Sequence, residues 1–477
     1  MLFALVFLIN AAANFALGVA LSALMGPAEF GRYATALLGA TTLATALFDW
    51  LRLASIRFSG GDERRAPIAS SLDAAYLTMI AAAGACALAF LATGADLGFG
   101  VALLALTPFL AIAIARADYT SSTMRARDLT RAFIIFSALR QGLIFTLVLG
   151  VTWWTRSAAA TVVAFTMATL ASIALASKPI RTPGARVSLA EREDVRRFLV
   201  YAKPIVVSTV LYLSISLLNR HMALEWFGAE ATGKLALATD LGLRLFMAIN
   251  VLPETLLFQY ALRREAQEGR AAAEGQIGVN IVLAFAVLAP LAVGYVAMLP
   301  TFEALIVPQA YRGDFAGLSL ALTPGLIAFC ALYSAFNPVF QLEKRTWPLT
   351  AAAVAALVCD LALLTMAPFN ASVEGLALAH SISLCAGFFA AAIPALRRKT
   401  MRPRLRDLAI IAAASAAMGL AIAPLNGVGP APVVAALAVL AGGVPVFGLF
   451  FALDVGGLRT WARTRVSGAP ACAAPPA

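Results

Sequence analysis

The chain has 477 residues, is 61% hydrophobic and only 13% charged, and carries a formal net charge of +11 with a mean hydropathy of +0.86. That composition excludes a soluble globular enzyme, because runs of the ~20 apolar residues that a helix needs to cross a bilayer recur from one end to the other. The basic residues are dispersed between those runs and form no single patch, which removes nucleic acid as a partner.

In chain order the apolar runs predict fourteen transmembrane helices, over residues 2–25, 33–56, 69–93, 99–116, 131–152, 158–177, 201–224, 234–258, 276–299, 315–340, 349–367, 374–396, 408–425 and 432–453. The expected fold is therefore all-α and polytopic. Of the 36 Lys and Arg residues, 28 fall in segments on one side of this arrangement, four on the other and four inside spans. Basic loops resist translocation, so the rich side is expected to be cytoplasmic, with both termini on it. The first span has no charged segment before it and does not read as a signal peptide.

The longest hydrophilic interruption, KPIRTPGARVSLAEREDVRRFLV from Lys178, separates six spans from eight. Ser188 and Glu191 have the spacing of a capping box, which predicts a short amphipathic helix leading into the seventh span. The expected organisation is an N-lobe at 1–177, a cytoplasmic linker at 178–200, a C-lobe at 201–397, an added helix pair at 398–453 and a cytoplasmic tail at 454–477. An internal repeat supports the two lobes: GPAEFGRYATA from Gly26 is echoed by GAEATGKLALA from Gly228, an offset of 202. Both copies fall on the turn after the first span of a half, so the halves are expected to be related by a pseudo-two-fold along the membrane normal.

Ionisable groups at membrane depth cost ~2.5 to 3.5 kcal/mol each on insertion scales and mark a pathway or a pair. On the second span, Asp49 and Arg52 lie three apart and share a helix face, so the two can neutralise each other. Arg140, followed by Gln141, is on the fifth span, and Arg220 is near the outer end of the seventh. Arg244, ten residues beyond Lys234, is about 15 Å deep. Asp240 and Glu254 share one stripe of that eighth span, and Asp360 is on the eleventh. Asn14, Asn219, His221 and Asn250 add polar groups on spans 1, 7 and 8. Two readings stay open: buried pairs that hold the bundle together, or a hydrated cavity on which arginines of both halves converge, with Asp49, Asp240, Glu254 and Asp360 holding the arginines or binding a coupling cation. A cavity lined by Arg52, Arg140, Arg220 and Arg244 suits an anionic cargo, since guanidinium groups take phosphate oxygens through paired hydrogen bonds. With two histidines, and five cysteines in no ligating spacing, no metal or cofactor is expected.

Asn14 with Gly18, the turn LMGPAEFGRYATAL, the following LFDWLRLASIRFSG, then MRARDLTRAFIIFSALRQGL and VPQAYRGDF together resemble the polysaccharide-transporter branch of the multidrug/oligosaccharidyl-lipid/polysaccharide flippase superfamily. The resemblance extends from residue 1 to about 453. It implies two six-helix lobes plus a C-terminal helix pair in the bacterial inner membrane, and translocation of a polyprenyl-diphosphate-linked oligosaccharide such as an O-antigen repeat unit. The headgroup would cross a cationic lumen while the polyprenyl tail stays in membrane lipid, with a polysaccharide polymerase and glycosyltransferases as protein partners. A cation-coupled multidrug exporter of the same superfamily is the rival reading. A membrane-embedded polysaccharide polymerase or ligase is the other, and it would need a large outside loop that the sequence lacks.

Overall fold

The computed structural model describes residues 2–58, 65–92, 100–180, 182, 184–343 and 345–460. Among the described residues the fold is helical with no strand. This is what hydrocarbon requires, since a helix pairs its backbone groups within one segment. In chain order the helices are α1 (Leu2–Phe58), α2 (Arg65–Ala92), α3 (Val101–Ala126), α4 (Thr130–Thr155), α5 (Ala158–Ala176), α6 (Arg192–Glu268), α7 (Arg270–Ala297), α8 (Leu299–Ile306), α9 (Asp314–Leu342), α10 (Trp347–Leu364), α11 (Val373–Leu396), α12 (Leu405–Ile422) and α13 (Ala431–Ala452). Single π turns interrupt α4 at Ile144–Val148, α9 at Leu332–Phe336 and α13 at Val439–Gly443.

Twelve helical stretches among the described residues are long and apolar enough to cross a membrane. Two of them are double length: Leu8–Phe58 with 51 residues and Arg192–Ala248 with 57. Each bends once, at Gly26 (φ 71°) in α1 and at Gly228 (φ 86°) in α6. A positive φ at both bends is a conformation that glycine reaches without strain. The expected first and second spans are thus the arms of one bent helix, and so are the seventh and eighth. The turn of several residues expected between them is replaced by a single-residue kink.

Three other expectations need correction or fall outside the described residues. The fourth span does not stop at 116, because α3 continues unbroken to Ala126. The helix expected to start after Ser188 starts later: Ser188 lies in the 3-10 turn Val187–Leu189, and α6 begins at Arg192 with Glu193 and Asp194 in its first turn. The Glu191 backbone N–H donates to Ser71 Oγ at 2.9 Å. The break expected at 93–98 falls outside the described residues.

The chain divides into two compact units. The first comprises Met1–Leu241 with Leu349–His380, and the second Gly242–Pro348 with Ser381–Ala477. In the second unit α12 and α13 pack on α7 through Val282, Ala286, Ile411, Met418, Ile422 and Phe450. Small residues let these helices approach closely: a Cβ added at Gly419 would lie 2.4 Å from the Val293 side chain. Lipid tails are as apolar as these side chains, so close packing, not expulsion from water, holds such a cluster together.

In the first unit the two copies of the repeat lie against each other. A Cβ added at Gly233 would fall 1.9 Å from the Pro27 carbonyl oxygen, and one at Gly31 would fall 2.7 Å from the Ala229 carbonyl oxygen. The offset of 202 makes Pro27 equivalent to Ala229 and Gly31 equivalent to Gly233, so each half makes the same contact to the other. This is a local two-fold seam of backbone against backbone, and it explains the second glycine of each copy. Glu29 fixes the first copy from outside: its carboxylate accepts from the Ala158 N–H at 2.8 Å, at the start of α5, and pairs with Arg32 at 2.7 Å.

Candidate functional site

The first unit holds a layer of charged side chains far from that seam along α1. At 1.5 Å per residue, Asp49 and Arg52 lie about 13 and 9 Å from the end of α1, Asp118 about 12 Å from the end of α3, and Arg140 about 15 Å from the start of α4. Those three helix ends, at Phe58, Ala126 and Thr130, follow one another along the same side of the bundle. Arg52 and Asp49 are closed on each other: Arg52 Nη2 donates to Asp49 Oδ2 at 3.0 Å and its Nε donates to Oδ1. Arg140 is held more loosely, with Nη1 3.6 Å from Asp118 Oδ1, beyond the usual hydrogen-bond range. Its Nε is buried with no hydrogen-bond partner among the described residues. Asp118 also faces Arg52, Arg125 and the Asp49 carboxylate.

Neighbouring groups extend the layer. Arg116 lies 3.9 Å from Asp73 and sits over the rings of Tyr76 and Tyr119, 5.0 and 5.2 Å from their centroids. Arg125 donates to Ser122 Oγ at 3.1 Å and lies over Phe133. Gln141, next to Arg140, donates from Nε2 to Asn14 Oδ1 at 3.0 Å, joining α4 to the first arm of α1. The layer is not sealed: the side chains of Asp118, Arg52 and Arg140 are 48%, 32% and 24% exposed.

A second set of polar groups in the same unit is nearly dry, with Arg220, Asn219 and Asp360 buried and Asp240 21% exposed. Arg220 is 4% exposed; Nη1 donates to the Ala34 carbonyl at 2.9 Å and Nη2 donates to Asp240. The bend at Gly228 folds the second arm of α6 back, so Asp240 meets Arg220 across it. One residue before Arg220, Asn219 Nδ2 donates to both oxygens of the fully buried Asp360 at 2.9 Å. Asn219 Oδ1 is buried without a partner among the described residues. His380 Nε2 is 3.3 Å from Ser216 Oγ, one turn before Asn219 on α6.

Of the residues singled out in the sequence, Asp49, Arg52, Arg140 and Asn14 thus lie in or beside the charged layer, and Arg220, Asp240, Asn219 and Asp360 form the dry set. His221 follows Arg220 on α6 and is half-buried, and Arg244 is a half-buried residue of the second unit. Asn250 and Glu254 are helical, but their side chains lie outside the described residues. Asp73, Arg116, Asp118 and Arg125 are additions that the sequence reading left in a loop or passed over. An uninterrupted run without Pro or Gly from Arg116 to Ala126 was the signal that α3 continues through them. Among the described residues no group of three or more His, Cys, Asp or Glu could hold a metal ion.

No family model matches the sequence, and no curated protein does. Solved structures do. The lipid II flippase MurJ, in an inward closed conformation, superposes with a TM-score of 0.71 at 13% identity, covering 94% of this chain and 99% of that one. An inward-facing multidrug resistance MATE family transporter of the MOP superfamily gives 0.54 at 14% identity, covering 83% and 94%. A MOP superfamily transporter from Pyrococcus furiosus, described as having a binding pocket of reversed polarity, gives 0.50 at 13% identity over the same shares. At these identities the likeness establishes the fold, which hosts cargoes of different chemistry.

Proposed function

We propose that the chain is a flippase that carries a polyprenyl-diphosphate-linked oligosaccharide across the bacterial inner membrane by alternating access. The observation that carries the reading is the partly exposed charged layer of the first unit. A carboxylate half-exposed to lipid would bear the insertion cost of ~2.5 to 3.5 kcal/mol, and several neighbours would add theirs. Exposed at that depth, the groups of this layer face water, which makes the layer the wall of a hydrated chamber. Arg52, Arg116, Arg125 and Arg140 outnumber Asp49, Asp73 and Asp118 there, so the wall favours an anion. A diphosphate headgroup offers several oxygens for guanidinium groups to bind in pairs.

In this reading the layer lies toward the ends of α1 and α3, the side that the distribution of Lys and Arg makes cytoplasmic, while the glycine seam closes the opposite end. Residues 1–177 and 201–397 act as the two rocking lobes, and 398–453 as the added pair. Arg220 serves the closed end, bridging the arms of α6 to α1, and Arg244 is the candidate cargo contact of the other half. Translocation of defined lipid-linked oligosaccharides in proteoliposomes, run with and without ion gradients, tests the proposal. The wild-type chain moves them, and Arg140→Ala, inserted at normal abundance, loses at least about tenfold in rate, a loss of ~1.4 kcal/mol. Unchanged translocation by Arg140→Ala removes the layer from the mechanism.

The dry set favours a second reading, a cation-coupled exporter. Asp360 with the spare Asn219 carbonyl is a buried acid beside an unused acceptor, a combination that suits a coupling cation. Drug efflux driven by an ion gradient and abolished by Asp360→Asn, with no movement of lipid-linked sugar, would select that reading.

A further inference from the structure

We infer that Asp118 is a built-in competitor for the cargo's phosphate, holding Arg140 while the chamber is empty and setting how readily the headgroup leaves. The inference rests on the diphosphate reading above and deepens it. Three ion pairs of the first unit differ in how tightly they are closed. Asp49 and Arg52 share two hydrogen bonds, and Asp49 is only 15% exposed. Arg220 is buried and hydrogen-bonded to Asp240 and to the Ala34 carbonyl. Arg140 and Asp118 are attracted at 3.6 Å without a hydrogen bond, and Asp118 is 48% exposed. The last pair has donors and acceptors to spare: Arg140 Nε is buried without a hydrogen bond among the described residues, and the Asp118 carboxylate accepts none from Arg140.

Asp118 faces Arg140, Arg52 and Arg125 together, with Asp49 as the one other carboxylate in that group. It therefore occupies the electrostatic place that a phosphate would take. A phosphate brings more charge and more oxygens, so it wins the guanidinium groups on arrival. The displaced carboxylate, still nearby, repels it and offers Arg140 a replacement partner on departure. Binding must be strong enough to load and weak enough to unload, the balance familiar from conduction pathways. A layer of arginines without this carboxylate would load well and release slowly.

The test measures binding of inorganic pyrophosphate and of farnesyl diphosphate to the purified full chain, alongside translocation in vesicles. Asp118→Asn keeps the shape and removes the charge; it is expected to bind both probes about tenfold more tightly while turning over more slowly. Asp118→Glu restores the charge and returns the affinity to near wild type. Should Asp118→Asn fail to fold, Asp118→Ser serves as the neutral variant under the same criterion. Equal affinity of folded neutral and wild-type chains, or equal affinity of the Asn and Glu variants, overturns the inference while leaving the cargo reading intact. If neither chain binds farnesyl diphosphate but the neutral variant gains pyrophosphate binding, the competition stands and the lipid-linked cargo falls. Absence of binding for both probes in both chains sinks the two together.

Discussion

Two ends of the first unit solve opposite problems. At the seam, Gly31 and Gly233 bring backbone onto backbone with no charge between them, and the buried Arg220 donates to Asp240 and the Ala34 carbonyl. Some 18 residues along α1, about 27 Å away, the charged layer leaves Arg140 loosely paired and Asp118 half-exposed. Close packing suits a surface that must exclude water. Loose pairing suits one that must exchange partners. The lesson is that an arginine at membrane depth is informative only through what holds it: Arg220 and Arg140 look alike in the sequence and are held in different ways.

Substitutions can break this contrast, taken from the largest expected loss of stability to the smallest, with one glycine control among them. Arg220→Ala strands Asp240 and a buried carbonyl; breaking such a pair costs ~3 to 5 kcal/mol, and the thermal midpoint of the purified chain should fall steeply. Gly233→Ala puts a methyl group into the Pro27 carbonyl, where backbone must move, and should cost ~1 to 3 kcal/mol by overpacking. Gly142→Ala is the control, because its Cβ would meet nothing within 4 Å, and its midpoint should match the parent or rise slightly. Arg140→Ala removes a partly exposed pair worth ~0 to 1 kcal/mol; the midpoint should barely move while translocation is lost. A steep fall for Arg140→Ala with intact transport would reverse the assigned roles of the two ends.

Much of the fold was legible because hydrocarbon imposes one rule: apolar runs of crossing length become helices, and they did, in α1 through α7 and α9 through α13. The repeat was legible in its glycines, whose reason emerged only when Gly26 and Gly228 proved to be kinks and Gly31 and Gly233 points of contact. The site was half legible. Asp49 with Arg52 followed from helical spacing, but Asp240 with Arg220 did not, since the pair joins residues 20 apart across the bend at Gly228. Asp118 and Arg125 were hidden by a misplaced helix end: charges that read as a loop after Arg116 are carried on three more turns of α3. The capping box at Ser188 misled for a similar reason, because Ser71 on a distant helix takes the N–H that a local cap would compete for.

The proposed wall on α1, α3 and α4 is water-filled and receives an anion. Its most direct test is the labelling rate of Ser121→Cys, one turn from Asp118, by a membrane-impermeant thiol reagent in a chain whose five native cysteines are replaced. Labelling is expected from one face of the membrane only, and it slows when farnesyl diphosphate is present. Failure to label from either face, or a rate indifferent to farnesyl diphosphate, would contradict it.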